Sequence, residues 1–293
     1  MRSAKAIWEL LRLGHGVMIA LGILVGAVIA KPEVPQPFLF VLTFCVALFL
    51  EASTFALNDY FDVEIDQKNK RLDRPLVRGD LSPRTAVWIA AVLFPLGLIA
   101  AWFVNLPCFF IAVVTAMFAL VYDIVLKRYK VVGNFFIAYV MAIPFVFGGV
   151  MVIRQGEGIG ALHPAILMVA SIAFLAGAGR EMMKDVQDYE GDAAMGVKSF
   201  PRYLGLRGAC ALSSFFYLGA VVLSFVPFFF SIFDQYFQNY VYLVFVIVTD
   251  VILLMISVQL LHFKDVTFGR LRKLSLVALL CGLLGFLVGA FLG

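Results

Sequence analysis

The chain is 293 residues long, with 63% hydrophobic and 14% charged residues, against about 45–50% and about 25% in ordinary soluble domains. A mean hydropathy of +0.99 with 30 Phe leaves too few polar groups to coat a water-exposed surface, which excludes a soluble globular protein and implies one embedded in a lipid bilayer. The formal charge of +4, from 23 basic and 19 acidic residues, gives no ground for a nucleic-acid partner or a strongly charged tail.

Apolar stretches of about 20 residues, the length an α-helix needs to cross the hydrocarbon core, are read at 13–30, 37–57, 84–105, 107–126, 133–153, 162–182, 208–230, 240–262 and 273–292. They predict an all-α, polytopic membrane protein of nine transmembrane helices. No Pro/Ser-rich linker or low-complexity segment divides it, so 1–293 is read as one domain. The first stretch follows Arg2, Lys5 and Arg12 but also Glu9, and its length favours a retained span over a cleaved leader ending at Val28-Ile29-Ala30. Cys45, Cys108, Cys210 and Cys281 are dispersed in apolar stretches without metal-ligand spacing and are read as small core residues. His15, His163 and His262 are single and scattered. Asp250, inside the eighth stretch, is expected to face an interior cavity, to serve packing, or to lie near the other interface.

Basic residues orient the spans, since Lys and Arg near span ends stay on the cytoplasmic side. They cluster at the N-terminus (Arg2, Lys5, Arg12) and after the second stretch (Lys68, Lys70, Arg71, Arg74, Arg78, Arg84). They recur after the fourth (Lys127, Arg128, Lys130), sixth (Arg180, Lys184, Lys198, Arg202, Arg207) and eighth (Lys264, Arg270, Arg272, Lys273). Only Lys31 and Arg154 fall on the other side. The N-terminus is therefore expected inside and the C-terminus outside. The functional loops, about 58–84 and 180–207, are expected on the cytoplasmic face of a multi-pass cell-membrane protein.

Two of those loops repeat one acidic spacing. The second stretch continues as Asn58-Asp59-Tyr60-Phe61-Asp62-Val63-Glu64-Ile65-Asp66, and the sixth as Asp185-Val186-Gln187-Asp188-Tyr189-Glu190-Gly191-Asp192; both contain D-x-x-D-x-x-x-D. On a helix Asn58, Asp62, Asp66 and Asp59 fall at roughly 0°, 40°, 80° and 100°, with Glu64 away near 240°. Glu181, Asp185, Asp188 and Asp192 lie within about 60° of one another. Glu51 lies on the stripe of Asn58. Carboxylates at this density repel and ask for a neutralising cation. Oxygen-only ligands point to Mg²⁺, which is usually held by one or two carboxylates plus substrate phosphates. Lys68, Arg71, Arg74, Lys127, Arg128, Arg180 and Lys184 beside the acids suit the remaining oxygens of a diphosphate. The recurrence four spans later also suggests an old duplication of a four-helix unit.

The run 58–66 resembles the N-D-x-x-D-x-x-x-D signature of UbiA-type intramembrane prenyltransferases. Asp188 to Asp192 is similar to the family's second motif, D-x-x-x-D. Arg71-x-x-Arg74-Pro75-Leu76 with Gly79-x-Leu81-Ser82 resembles its D-R-P-(I/L)-x-x-G-x-(I/L)-S stretch. The likeness covers nearly the whole chain and implies nine helices around a central cavity. Within the superfamily, Arg180-Glu181-Met182-Met183-Lys184-Asp185 and Asp188-Tyr189-Glu190-Gly191-Asp192 are most similar to the R-E-(I/M)-x-K-D-x-x-D-x-E-G-D of archaeal digeranylgeranylglyceryl phosphate synthases. That implies transfer of a geranylgeranyl group from an isoprenyl diphosphate donor to the hydroxyl of a prenylated glycerol phosphate acceptor. Members acting on 4-hydroxybenzoate carry Tyr-x-x-x-Lys, whereas here Tyr122 is followed by Lys127 at one residue more, which disfavours an aromatic acceptor.

The resemblance implies two Mg²⁺ ions, one on Asn58, Asp62 and Asp66 and one on Asp188 and Asp192, with Asp59 and Asp185 as further ligands or supports. Lys127, Arg128, Arg71, Arg74, Lys184, Arg180 and Tyr122 would bind the diphosphate, with Lys127 and Arg128 also stabilising charge on the leaving group. Asp62, Asp66 or the departing diphosphate takes the acceptor proton. Three other readings are weighed. Prenylation of a hydroxybenzoate- or naphthoate-type acceptor keeps the chemistry. A transporter with an acidic cation site would need its charges near mid-membrane. A CDP-alcohol phosphatidyltransferase would need D-G-x-x-A-R, which the sequence lacks.

Overall fold

The computed structural model describes residues 2–31, 35–68, 71–153, 162–263 and 266–292, with 2, 3, 65, 68 and 127 described by backbone alone. Lys70, Arg154 and Lys264 lie outside the described residues. The helices are α1 (Arg2–Leu11), α2 (Gly16–Ala30), α3 (Pro37–Lys68), α4 (Pro75–Arg78), α5 (Pro83–Val104), α6 (Leu106–Ile124), α7 (Lys130–Met151), α8 (Pro164–Gln187), α9 (Tyr189–Ala194), α10 (Phe200–Phe229), α11 (Tyr240–His262) and α12 (Phe268–Leu292). Among the described residues nine helices are long and apolar enough to cross a bilayer, and none of those residues is strand. The all-α polytopic fold read from hydropathy is the observed one.

Several helix ends lie beyond the apolar stretches. α3 runs to Lys68 rather than ending near 57, α8 to Gln187 rather than 182, and α10 starts at Phe200 rather than 208. Hydropathy marks where a helix leaves the apolar layer, while backbone hydrogen bonding carries it on into polar sequence. α1 is an additional, amphipathic helix. Its residues Ala6 and Leu10, one turn apart, are buried, while Ile7 and Trp8 are exposed.

The chain divides into two compact units, Met1–Ile23 with Gln36–Val125, and Leu24–Pro35 with Leu126–Gly293. In the first, α3 packs along α5 and α6, and α1 lies across α3 and α4. Ala6, Leu10, Ala56, Leu76, Leu81, Ala86 and Ala90 form one buried apolar cluster. α5 turns Ala86, Ala90, Gly97 and Ala101 inward, and α6 turns Cys108, Ala112, Ala116 and Ala119 inward. Such small-residue faces let membrane helices approach closely where no hydrophobic driving force exists between them. Ser82 caps α5 by accepting from Thr85 N–H, and Asn105 caps α6 by accepting from Cys108 N–H.

In the second unit α8 is central, packed on α7, α10 and α12, with α11 between α10 and α12. The end of α2 meets α7 so closely that a Cβ on Gly26 would fall 1.9 Å from the Phe145 carbonyl oxygen. α10 bends at Gly205, whose φ of 69° and ψ of 168° belong to a region essentially reserved for glycine. Asp250, 4% exposed, accepts from Ser224 Oγ of α10 at 2.7 Å, and Tyr242 donates to the Ser224 carbonyl at 2.6 Å. Of the roles expected for Asp250, burial and a hydrogen bond between helices match packing. His163 accepts from Ala165 N–H at the start of α8, and His15 stacks edge-on against Phe55.

Candidate active site

The first acid motif occupies the last turns of α3, and its angular spacing is realised there. Asp59 and Asp66 are buried and Asn58 and Asp62 half-buried, while Tyr60, Phe61, Glu64 and Gln67 are exposed. Asp59, 2% exposed, accepts at Oδ1 from Arg74 Nη1 at 2.7 Å and from Arg12 Nη2 at 3.1 Å. Its Oδ2 is buried with no hydrogen-bond partner among the described residues.

Arg12 arrives from the turn that ends α1. Its left-handed backbone, φ 49° and ψ 41°, costs a non-glycine residue about 1 kcal/mol. The guanidinium sits 4.1 Å over the Phe55 ring, one helical turn before Asp59. The cation–π contact and the charge-assisted hydrogen bond offset the strain. Arg74 Nε is also 3.8 Å from Asp66 Oδ2. Burial raises the Asp66 carboxyl above its ordinary range, and Arg74 opposes the rise. Arg71 donates to both oxygens of Asp73, at 3.0 and 2.9 Å, and these bonds hold the Asp73 carboxyl down to about 2. Arg78 pairs with Glu9 of α1 and, at 2.7 Å, with Asp80. Asn58 Nδ2 donates to Asp123 Oδ1 at 3.1 Å. Asp123 is 1% exposed, on the last turn of α6. With Nδ2 so engaged, Oδ1 is the atom Asn58 offers to a cation.

The second motif lies in the other unit, and no single continuous helix carries it. α8 ends at Gln187, Asp188 (φ −93°, ψ 3°) joins it to α9, and Asp192 follows on α9. Asp192 N–H still donates to the Asp188 carbonyl at 3.0 Å. Asp185 and Asp192, 1% and 7% exposed, meet one cation, Lys130. Its Nζ is 2.6 Å from Asp192 Oδ2 and 3.5 Å from Asp185 Oδ1. Asn134, one turn along α7, donates to Asp185 Oδ2 at 2.8 Å. Glu181 receives Arg180 at 3.1 Å and Lys184 at 3.2 Å. Lys198 N–H donates to the Arg128 carbonyl at 2.9 Å and its own carbonyl accepts from Val131 N–H at 3.3 Å, which fixes the turn before α7. The Lys127 side chain lies outside the described residues. Arg128 is exposed and Tyr122 half-buried.

The motifs do not point to Asp123, Lys130 or Asn134 as partners of the acids. The signal for Asp123 is a carboxylate inside an apolar stretch, which marks an interior position. Lys130 and Asn134 share a helix face at four-residue spacing.

Among the described residues no three His, Cys, Asp or Glu side chains converge closely enough to hold a metal by themselves. Mg²⁺ is ordinarily completed by water and substrate phosphate. A set of oxygen donors, including a buried Asp59 oxygen without a hydrogen-bond partner among the described residues and the amide oxygen of Asn58, fits such an ion.

Residues 19–267 match the UbiA prenyltransferase family. The chain is 42% identical to digeranylgeranylglyceryl phosphate synthase of Archaeoglobus fulgidus, over 99% of this chain and 97% of that one. A solved structure described as digeranylgeranylglyceryl phosphate synthase in membranes aligns with a TM-score of 0.80 at 30% identity, covering 99% of both chains. A second, a UbiA homologue from Archaeoglobus fulgidus bound to GPP and Mg²⁺, shares the fold with a TM-score of 0.59 at 19% identity, over 96% of this chain and 99% of that one.

Proposed function

This chain belongs to the UbiA prenyltransferase family, and on that premise we propose that it transfers a geranylgeranyl group from geranylgeranyl diphosphate to the free hydroxyl of geranylgeranylglyceryl phosphate, in the synthesis of archaeal membrane ether lipids. The end-to-end likeness to a synthase of that name carries the reading. Two polar clusters built on the same acidic spacing support it.

Asn58, Asp62 and Asp66 would hold one Mg²⁺, and Asp188 and Asp192 a second, and such ions would supply charge neutralisation to the diphosphate as a leaving group. Asp59 serves less as a ligand than as the anchor for Arg12 and Arg74, whose two positive charges offset the acids of α3. Asp123 aims the Asn58 amide, and Asn134 with Lys130 plays the same part for Asp185. Arg71, Lys127, Arg128, Arg180, Lys184 and Tyr122 contact the diphosphate oxygens that the acids leave free, and Lys127 and Arg128 stabilise the departing charge. Asp62, Asp66 or the released diphosphate accepts the hydroxyl proton as oxygen attacks C1. The apolar helices keep water from the allylic cation. The active site faces the cytoplasm, a placement supported by the distribution of Lys and Arg.

The test is to incubate purified protein with Mg²⁺, geranylgeranyl diphosphate and either geranylgeranylglyceryl phosphate or 4-hydroxybenzoate, and to identify products by mass spectrometry. Ether-lipid product, lost with EDTA and reduced at least about a hundredfold by Asp62→Ala or Asp66→Ala, is the expected result. A prenylated benzoate in its place overturns the acceptor, and full activity in EDTA overturns the metal.

A further inference from the structure

Lys130 is the only cation within ion-pair distance of both Asp185 and Asp192 among the described residues, and it is placed for that job. It is the first residue of α7. The preceding turn is pinned by the main chain of Lys198, and the residue one turn on, Asn134, holds the second oxygen of Asp185. Two buried carboxylates that share one ammonium are stable together; without it their repulsion would be felt at short range and low dielectric. The 2.6 Å contact occupies Asp192 Oδ2, an oxygen that a metal ion on Asp192 would also seek.

The geometry points to Lys130 as an exchangeable internal counter-ion. It keeps the Asp185–Asp192 pair assembled while the metal is away, and it yields the carboxylate when Mg²⁺ arrives. Lys130 is thus a positioning residue for the metal, and the inference rests on the proposed Mg²⁺ at Asp188 and Asp192.

The purified full-length protein is unfolded thermally in EDTA and in saturating Mg²⁺. Lys130→Met lowers the midpoint in EDTA by about 5 °C, and Mg²⁺ returns most of that loss; Lys130→Arg, which keeps the charge, melts like the wild type in both. Adding Asp192→Asn to Lys130→Met restores stability in EDTA and removes the response to Mg²⁺, which a purely packing role would not produce. Mn²⁺ titrated in the absence of substrate and read by electron paramagnetic resonance binds Lys130→Met about tenfold more tightly than wild type, because its competitor is gone. A Lys130→Met protein that melts like wild type in EDTA overturns the inference. So does one whose deficit persists in Mg²⁺, one that binds Mn²⁺ no better, or one that cannot be recovered even with Mg²⁺ present. The underlying reading fails separately, through absence of Mg²⁺-dependent prenyl transfer by the wild type.

Discussion

Asp59 and Asp185, each inside its own unit, are treated alike. Each is a carboxylate at 1–2% exposure met by a cation that comes from outside its own helix: Arg12 and Arg74 for one, Lys130 for the other. An asparagine is engaged at both places, though differently, since Asn58 donates to Asp123 while Asn134 donates to Asp185 itself. Charge density that would otherwise be unsustainable near a bilayer is balanced internally, so the acids persist when no ligand is bound. Asp73, exposed and tied to Arg71, is the contrasting case. Its carboxyl is held near 2, below its unfolded value. Its contribution to stability is therefore present above about pH 4 and is lost as pH falls through about 2. Solvent screening keeps that contribution small. Asp73→Asn should leave the melting temperature at neutral pH within about 1 °C of wild type and converge on it below about pH 2, in a thermal-unfolding series against pH. A deficit that grows on acidification would contradict the assignment.

Among the elements, α1 is the one that links surface to site. Leu10 is fully buried where α1 lies across α3 and α4, Glu9 pairs with Arg78, and the turn after the helix delivers Arg12 to Asp59. Leu10→Ala should destabilise the protein by about 2 kcal/mol or more and should speed trypsin cleavage at Lys5 and Arg12; unchanged melting and cleavage would show that α1 is not docked in solution. The sequence discloses α1 poorly. Ten residues with Arg2, Lys5 and Glu9 interleaved read as the charged flank of a span, and the buried pair Ala6 and Leu10 is too short a period to stand out. The longer helices are a different matter, because about 20 apolar residues in a row have few other uses. Their polar extensions in α3 and α8 are legible only through the acidic spacing, which predicts which residues of α3 turn inward. It misleads at Asp188, where α8 stops one residue before the motif's middle acid.

At the scale of the whole molecule, the fold class follows from hydropathy, and the paired motifs follow from spacing. The partners of the acids do not, since Asn58 with Asp123 and Lys130 with Asp192 are separated by 65 and 62 residues, and nothing local in the chain announces that they meet. The division into two units is equally silent in the sequence, because α2 begins in one and ends in the other without a linker. Orientation is an expectation drawn from composition alone. The distribution of basic residues predicts the N-terminus inside and the C-terminus outside. Alkaline phosphatase fused after residue 293 should be active in a bacterial host, and the same enzyme fused within 71–82 inactive; the reverse pattern would invert the topology.

The docking of α1 has a consequence for how the protein is made. α1 is made before α3 and α4, on which it rests, so its resting place does not exist until α4 has emerged. The last turns of α2 must wait longer, for Phe145 on α7. α1 and the end of α2 are thus synthesised before the helices that seat them, and a nascent chain arrested before α4 should leave Arg12 open to protease while one arrested after α4 should protect it.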